Sequence, residues 1–221
     1  MGHKGKEDPF DFFDAIFCLT TNSRAEKYAL ALKEFEKIGI KDRVRKFNGS
    51  VIDSKYADYR FNLPDDQKHY ALASASHQAI WNIARESRYS NVLIFEDDLT
   101  FVEWDGTVLQ RATECLKNVE WELFYLGYNL HGHDIRTSAV SPHLVEVEKG
   151  ADIRSAHAYC LNSSVFEKVV NTYNPIEDVV DIWMPKHLNK IHCLTPLMTT
   201  QKQEWRGHQK QDIFLKNSQK L

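Results

Sequence analysis

The chain has 221 residues, 43% of them hydrophobic, enough for one large domain. Its 28 Lys and Arg against 31 Asp and Glu leave a formal net charge of −3, which excludes the broad basic field that draws nucleic acid or an anionic membrane to a surface. No apolar run approaches the roughly twenty residues of a membrane helix, and Met1 to Asp8 is polar, so the expectation is a soluble, cytoplasmic chain without a transmembrane segment.

Residues 1–12 read as a polar extension, and strand and helix patterns alternate from there. Phe13 to Leu19 reads as a strand. Ser23 and Glu26 stand at capping-box spacing and open an amphipathic helix that should run to about Ile38, with Gly39 as its stop. Val44 to Phe47 suits a second strand, ended by Asn48 and Gly49. From Gln67 to Arg88 lies the longest helical pattern, with Leu72, Ser76, Ala79, Ile80 and Ile83 on one face. The apolar run Asn91 to Phe95 then reads as a buried strand, and three acids, Glu96, Asp97 and Asp98, follow it directly.

Acids that stand where a buried strand leaves its sheet lie at the carboxyl edge, where open α/β folds bind ligands. If strand geometry persists through them, Glu96 and Asp98 point one way and Asp97 the other, so two carboxylates share one divalent ion. Hard oxygen ligands suit Mn2+ or Mg2+, and such an ion bridges nucleotide phosphates. A solvated acid cluster is the competing reading.

Further on, Thr107 and Gln110 repeat the capping-box spacing for a helix toward Lys117, and Trp121 to Leu126 reads as a strand ending at Gly127. Tyr128 to Ser141 looks irregular. A strand is expected around Leu144 to Val147 and another over Ala156 to Leu161, the latter feeding a helix capped by Ser164 with Glu167. Val179 to Leu188 has helical character that Pro185 should perturb, and no element is assigned beyond Pro196. The organisation expected is one α/β domain over residues 13–200 and a polar tail over 201–221. Cys18, Cys115, Cys160 and Cys193 form no Cys-x-x-Cys pair, which argues against zinc or redox motifs and for small buried hydrophobes. The sequons at Asn48 and Asn162 are read as structural.

Several of these patches, in order, resemble glycosyltransferase family twenty-five, the lipopolysaccharide and procollagen galactosyltransferase type. The resemblance rests on Ala75-Ser76-His77 in the long helix followed by Val92 to Asp98. Further parts are the opening strand through Leu19 to Arg24, Phe47 to Gly49, Phe124 to Gly127, His157 to Tyr159, and Gln209 to Ile213. It implies a GT-A-type, Rossmann-like fold: a mixed, largely parallel sheet flanked by helices. The implied activity is metal-dependent transfer, with inversion, of a hexose from a UDP-sugar to a hydroxyl of a glycan or hydroxylated protein. Galactose or glucose is the first expectation for the sugar. Cys18 stands where asparagine is usual, Asn48 replaces an aspartate before Gly49, and Gln211 replaces a small residue. These departures motivate an alternative, a catalytically silent module that binds a glycan or a protein partner.

In that frame Asp98 is the expected metal ligand, with Glu96 either a second ligand or, like Asp97, a partner of the ribose. Arg24 is expected to hold a base or a phosphate, and Asn48 and Gly49 to line the donor site. His77 shares a helical face with Ile80 and Trp81 and reads as a hydrogen-bonded core residue beneath the acid strand. Asp181 is the expected base, with Ile182 and Trp183 as a sugar-stacking wall and Asp152 in reserve. The tail supplies His208 as a third metal ligand, with Arg206 or Lys210 against phosphate, and closes over the site.

Overall fold

The computed structural model describes residues 8–55, 65–102, 104–131 and 135–202, the side chains of 53–55 and 65–69 excepted. The N-terminal half winds as expected: β1 (Ala15–Thr20), α1 (Ala25–Lys37), β2 (Val44–Asn48), a short α2 (Ser50–Lys55), α3 (Asp65–Glu86) and β3 (Asn91–Glu96). Strand β1 lies between β2 and β3, parallel to both. Strict alternation divides its side chains. Ala15, Phe17 and Leu19 face one side, joined by Val92 and Ile94 of β3 and by Ile80, Trp81 and Ala84 of α3. Ile16 and Cys18 face the other, with Leu93 and Phe95 of β3 and Ala31 and Phe35 of α1. Helices α1 and α3 therefore cover opposite faces of the sheet, because each helix has one apolar stripe and each strand has two apolar sides.

The rest of the chain is β4 (Leu99–Phe101), α4 (Gly106–Leu116), β5 (Leu123–Tyr125), β6 (Asn129–Leu130), β7 (Thr137–Ser141), β8 (Leu144–Val147), β9 (Ile153–Arg154), β10 (Ala158–Asn162), α5 (Phe166–Thr172), α6 (Val180–His187), β11 (Ile191–Leu194) and β12 (Thr199–Gln201). The main sheet has eight strands in the order β2-β1-β3-β10-β5-β11-β8-β7. Only β10 and β8 run against the others, which gives the mixed, largely parallel sheet flanked by helices. Two small ribbons, β4 with β12 and β6 with β9, stand off it. Among the described residues no helix is long and apolar enough to cross a membrane.

Local differences from the sequence reading have physical reasons. None of the three capping boxes forms. Before α1 the hydroxyls of Thr21 and Ser23 bond each other at 3.0 Å, and a 3-10 turn, Asn22–Arg24, leads into a helix with no side-chain cap. Asp105, not Thr107, caps α4, accepting from the Thr107 N–H at 2.8 Å. Asn162, not Ser164, caps the turn before α5 in the same way at 2.9 Å. In both cases the Asx oxygen two residues earlier reaches the first free N–H. Gly39, at φ +79, ends the α1 region as expected. The irregular segment holds β6 and β7, and the region around Pro196 holds β11 before it and β12 after it, strands of two to five residues that periodicity does not resolve. Cys18, Cys160 and Cys193 are buried and free, and Cys115 is half-buried.

Candidate functional site

The connection from β1 to β2 runs over one face of the sheet and that from β2 to β3 over the other, so the parallel neighbours β1 and β3 bring their carboxyl ends together at one edge of the sheet. Thr20 ends β1, Arg24 follows it, and the three acids follow β3. Strand β3 stops at Glu96, and Asp97 and Asp98 form a turn into β4. The expected pairing of Glu96 with Asp98 assumes strand geometry through Asp98, and the strand ends two residues earlier. Alternation sends Glu96 toward α3 and Asp97 toward α1, and the turn then keeps Asp98 with Asp97.

On the α1 side, Arg24 Nη2 lies 2.6 Å from Asp97 Oδ1 and 3.4 Å from Asp98 Oδ2. Asp97 is buried, and its second oxygen accepts from the Thr20 hydroxyl at 2.6 Å. Asp98 Oδ1 is buried without a hydrogen-bond partner. One nitrogen of the half-buried Arg24 thus bridges the acid pair, while its Nε and Asp97 Oδ1 are, like Asp98 Oδ1, buried without a hydrogen bond. On the α3 side, Glu96 Oε1 meets His77 Nε2 at 3.1 Å. His77 Nδ1 meets the Tyr159 hydroxyl at 2.9 Å, which also accepts from Trp81 Nε1 at 2.9 Å. Trp81 can only donate, so the hydroxyl hydrogen of Tyr159 turns to Nδ1 and the ring presents its N–H to Glu96. His77 is fully buried, the supporting residue expected.

These surroundings separate the acids electrostatically. Burial, the largest influence on Glu96, raises its pKa, but the His77 hydrogen bond and nearby positive charge, that of Arg24 included, leave it below the ordinary glutamate value. Burial raises Asp97 against the pull of Thr20 and Arg24. Asp98 is pushed up to about 7 by burial and by the charges of Glu96 and Asp97, with Arg24 and Lys27 opposing.

Asn48 turns its side chain to local structure: Nδ2 donates to Asn22 Oδ1 at 2.8 Å, and Oδ1 accepts from the Ser50 N–H at 3.1 Å. Gly49 sits against β1, its N–H donating to the Thr20 carbonyl at 2.7 Å, and a Cβ there would stand 2.7 Å from Ser76 Oγ of α3. That close approach gives a reason for glycine beside the serine-histidine pair of the long helix.

Asp181, in the first turn of α6, is half-buried, and its Oδ2 accepts from the Ser155 N–H at 3.2 Å. Burial and the charge of Glu96 raise its pKa against that hydrogen bond, so it belongs to the same electrostatic neighbourhood as the acid strand. Ser155 is buried at φ +98 and its hydroxyl bonds His157 Nδ1. A non-glycine residue held there is strained, and no sequence signal marks it. Asp152, the reserve base, is instead exposed and paired with Arg154 at 2.8 Å. Trp183 is buried in the core against Tyr173 and stacked on His187, so it forms no wall for a sugar; only Ile182 of that pair is exposed.

His208, Arg206 and Lys210 lie outside the described residues, as does the segment Gln209 to Ile213. The last described residue, Lys202, donates its backbone N–H to the Asp98 carbonyl at 2.9 Å, so the chain leaves toward the tail beside the acids. For a divalent ion, the buried, unpartnered Asp98 Oδ1 is a fitting donor. Among the described residues no group of three or more His, Cys, Asp or Glu side chains is placed to hold one, so further ligands have to come from elsewhere.

The chain is similar to two curated proteins, "Inactive glycosyltransferase 25 family member 3" of Mus musculus (25% identical over 129 residues) and "Probable inactive glycosyltransferase 25 family member 3" of Rattus norvegicus (26% over 129 residues). The match covers 52% of this chain and 22% and 23% of theirs, so the chain spans less than a quarter of the relatives it matches. No family model matches. Among solved structures, a protein from STIV superposes with a TM-score of 0.49 at 14% identity, covering 85% of this chain and 84% of that one. UDP-glucose pyrophosphorylase complexed with UDP-glucose gives 0.41 at 12%, covering 81% and 90%. The fold assignment rests on the sheet order itself.

Proposed function

We propose that this chain, whose curated homologues are glycosyltransferase 25 family members, is an inverting glycosyltransferase that moves a hexose, galactose or glucose first, from a UDP-sugar to a hydroxyl of a glycan or hydroxylated protein. The observation that carries the reading is the carboxyl edge of β1 and β3, where Asp98 keeps a buried, unpartnered carboxylate oxygen beside Arg24. A bound Mn2+ or Mg2+ would screen the charge that gathers on the departing diphosphate. Asp98 would hold that ion, and Arg24 would offer its guanidinium to a phosphate. Gly49 lets backbone approach the donor, with Asn48 shaping the turn. Glu96 and Asp97 orient the cluster, Glu96 through His77 and Asp97 through Thr20.

Asp181 serves as the base. Its raised pKa makes it a stronger proton acceptor than an ordinary carboxylate. The acceptor hydroxyl gives its proton to Asp181 as its oxygen bonds the anomeric carbon from the opposite side, and the bond to the phosphate oxygen breaks with its electron pair leaving on UDP. Beyond Lys202, His208 would add a ligand to the ion and Arg206 or Lys210 would neutralise the phosphates, excluding water. Buried free thiols at Cys18, Cys160 and Cys193 suit a reducing, cytoplasmic setting.

A panel of UDP-hexoses with Mn2+, scored for slow release of UDP by water, tests the activity and the sugar together. One hexose is expected to stand out, and Asp181→Asn is expected to slow acceptor transfer at least about a hundredfold while leaving donor affinity within a factor of two. A second reading, a silent module that binds the donor without turnover, is favoured by the word "inactive" in the relatives' names and by Asn48, committed here to Asn22 and Ser50. Donor binding with no release of UDP from any hexose selects it.

A further inference from the structure

We propose that Ser155 is a positioning residue for Asp181: its hydroxyl, tied to His157, holds a left-handed backbone that aims the Ser155 N–H at the carboxylate. The inference rests on the reading of Asp181 as the base and deepens it by naming what holds that base. Asp181 stands in the first turn of α6, whose start carries no side-chain cap. Its Oδ2 reaches out of the helix to the Ser155 N–H at 3.2 Å. Ser155 lies between β9 and β10, where the chain passes from the small ribbon with β6 into the main sheet. Both flanks are pinned: Arg154 pairs with Asn129 of β6, and the His157 carbonyl accepts from the Glu96 N–H at 2.9 Å.

At φ +98 the backbone of Ser155 occupies the region that glycine enters freely and other residues rarely adopt. Serine is strained there, and such strain persists only where the surroundings over-determine it. The hydroxyl supplies that constraint. It bonds His157 Nδ1, and both residues are buried, so water does not compete for the bond. A glycine would reach the same φ without strain and without the tether, whereas an alanine would keep the strain and lose the tether. A carboxylate held by one oxygen keeps its orientation, and the Ser155 N–H favours its charged form against burial and the charge of Glu96. The other groups that act on Asp181 are Arg154 of β9 and His77 of α3, and Asp181 in turn acts on the phenols of Tyr125 and Tyr173.

Titration of the Asp181 carboxyl carbon by nuclear magnetic resonance, its signal identified by its loss in Asp181→Asn, reads this without donor or turnover. In Ser155→Ala the untethered backbone is expected to relax and the N–H to leave Oδ2, so Asp181 should titrate at higher pH than in the wild type. Ser155→Gly, free of strain, is expected to titrate with the wild type. His157→Ala removes the other end of the tether and serves as the second variant, expected to reproduce the Ser155→Ala shift, all variants being checked for folding by circular dichroism. In acceptor transfer Ser155→Ala should lower kcat about tenfold with the donor KM within a factor of two, and the alkaline rise of the rate should move up in pH with the titration. Equal titration in the wild type, Ser155→Ala and His157→Ala overturns the proposal, and so does a shift in Ser155→Gly as large as that in Ser155→Ala. If none of the proteins turns over any donor, the reading of Asp181 as a base falls instead, and the titration still decides whether Ser155 positions it.

Discussion

Glu96 and Asp98 are two residues apart on the same chain, yet the sheet edge gives them opposite physical lives. Glu96 is the last residue of β3 and points to the α3 side, where it closes a buried relay through His77, Tyr159 and Trp81. Asp98 stands past the end of the strand on the α1 side, loosely reached by Arg24 and with an oxygen left unpartnered. The first arrangement stabilises the fold; the second costs stability and leaves capacity for a ligand. A strand that ends inside a run of acids sorts them into a support and a donor.

The largest expected effect breaks the supporting side. His77→Ala removes a fully buried ring and strands the Glu96 carboxylate and the Tyr159 hydroxyl, so a loss of about 3 kcal/mol in urea unfolding is expected. A loss below about 1 kcal/mol would mean that the relay does not support the site.

The donor side should respond with the other sign. Because Asp98 in the folded chain titrates near 7, above its ordinary 3.8, its contribution to stability is complete below about pH 4 and is lost as the pH rises toward about 7. Glu96 is held below its ordinary value, so its contribution is present above pH 4.5 and is lost on acidification through the lowered value. Asp98→Asn should therefore raise stability at pH 7.5 by about 2 kcal/mol and flatten the pH dependence between 4 and 7. The acid limb set by Glu96 should stay. A melting series over pH checks both limbs, and a destabilised Asp98→Asn protein would contradict the assignment.

The smallest effect sharpens the boundary between the two sides. Thr20→Val deletes the hydroxyl that donates to the buried Asp97, and about 1 kcal/mol should be lost in chemical unfolding, with Mn2+ binding by Asp98 retained. Complete loss of ion binding would show that Asp97, not Asp98, is the donor.

The winding of the first half is legible in the sequence because its helices and strands are long enough for periodicity to speak: α1, α3, β1 and β3 are each found within a few residues. So is the position of the acids at a carboxyl edge, and His77 as a buried partner of the acid strand. The side on which each acid falls is not legible, since it turns on whether β3 ends at residue 96 or 98, a detail decided by the turn into β4 and the pairing of β4 with β12. Arg24 reads as a group near a phosphate, but its grip on Asp97 depends on the packing of α1 against the sheet. Trp183 reads as part of a sugar-stacking wall because it follows Asp181 closely, whereas the helix turns the indole into the core. Ser155 carries no local signature at all, as its positive φ is imposed by the segment entering β10. Short strands such as β11 and the reversed direction of β10 follow from tertiary pairing rather than from any pattern in their own residues.

Calorimetric titration of UDP into the protein, with and without Mn2+, in the wild type and Asp98→Asn, tests the central claim most directly. The account predicts UDP binding that needs Mn2+ and is lost in Asp98→Asn while the variant remains folded. UDP that binds equally well to Asp98→Asn, or to neither protein with any divalent ion, would contradict it.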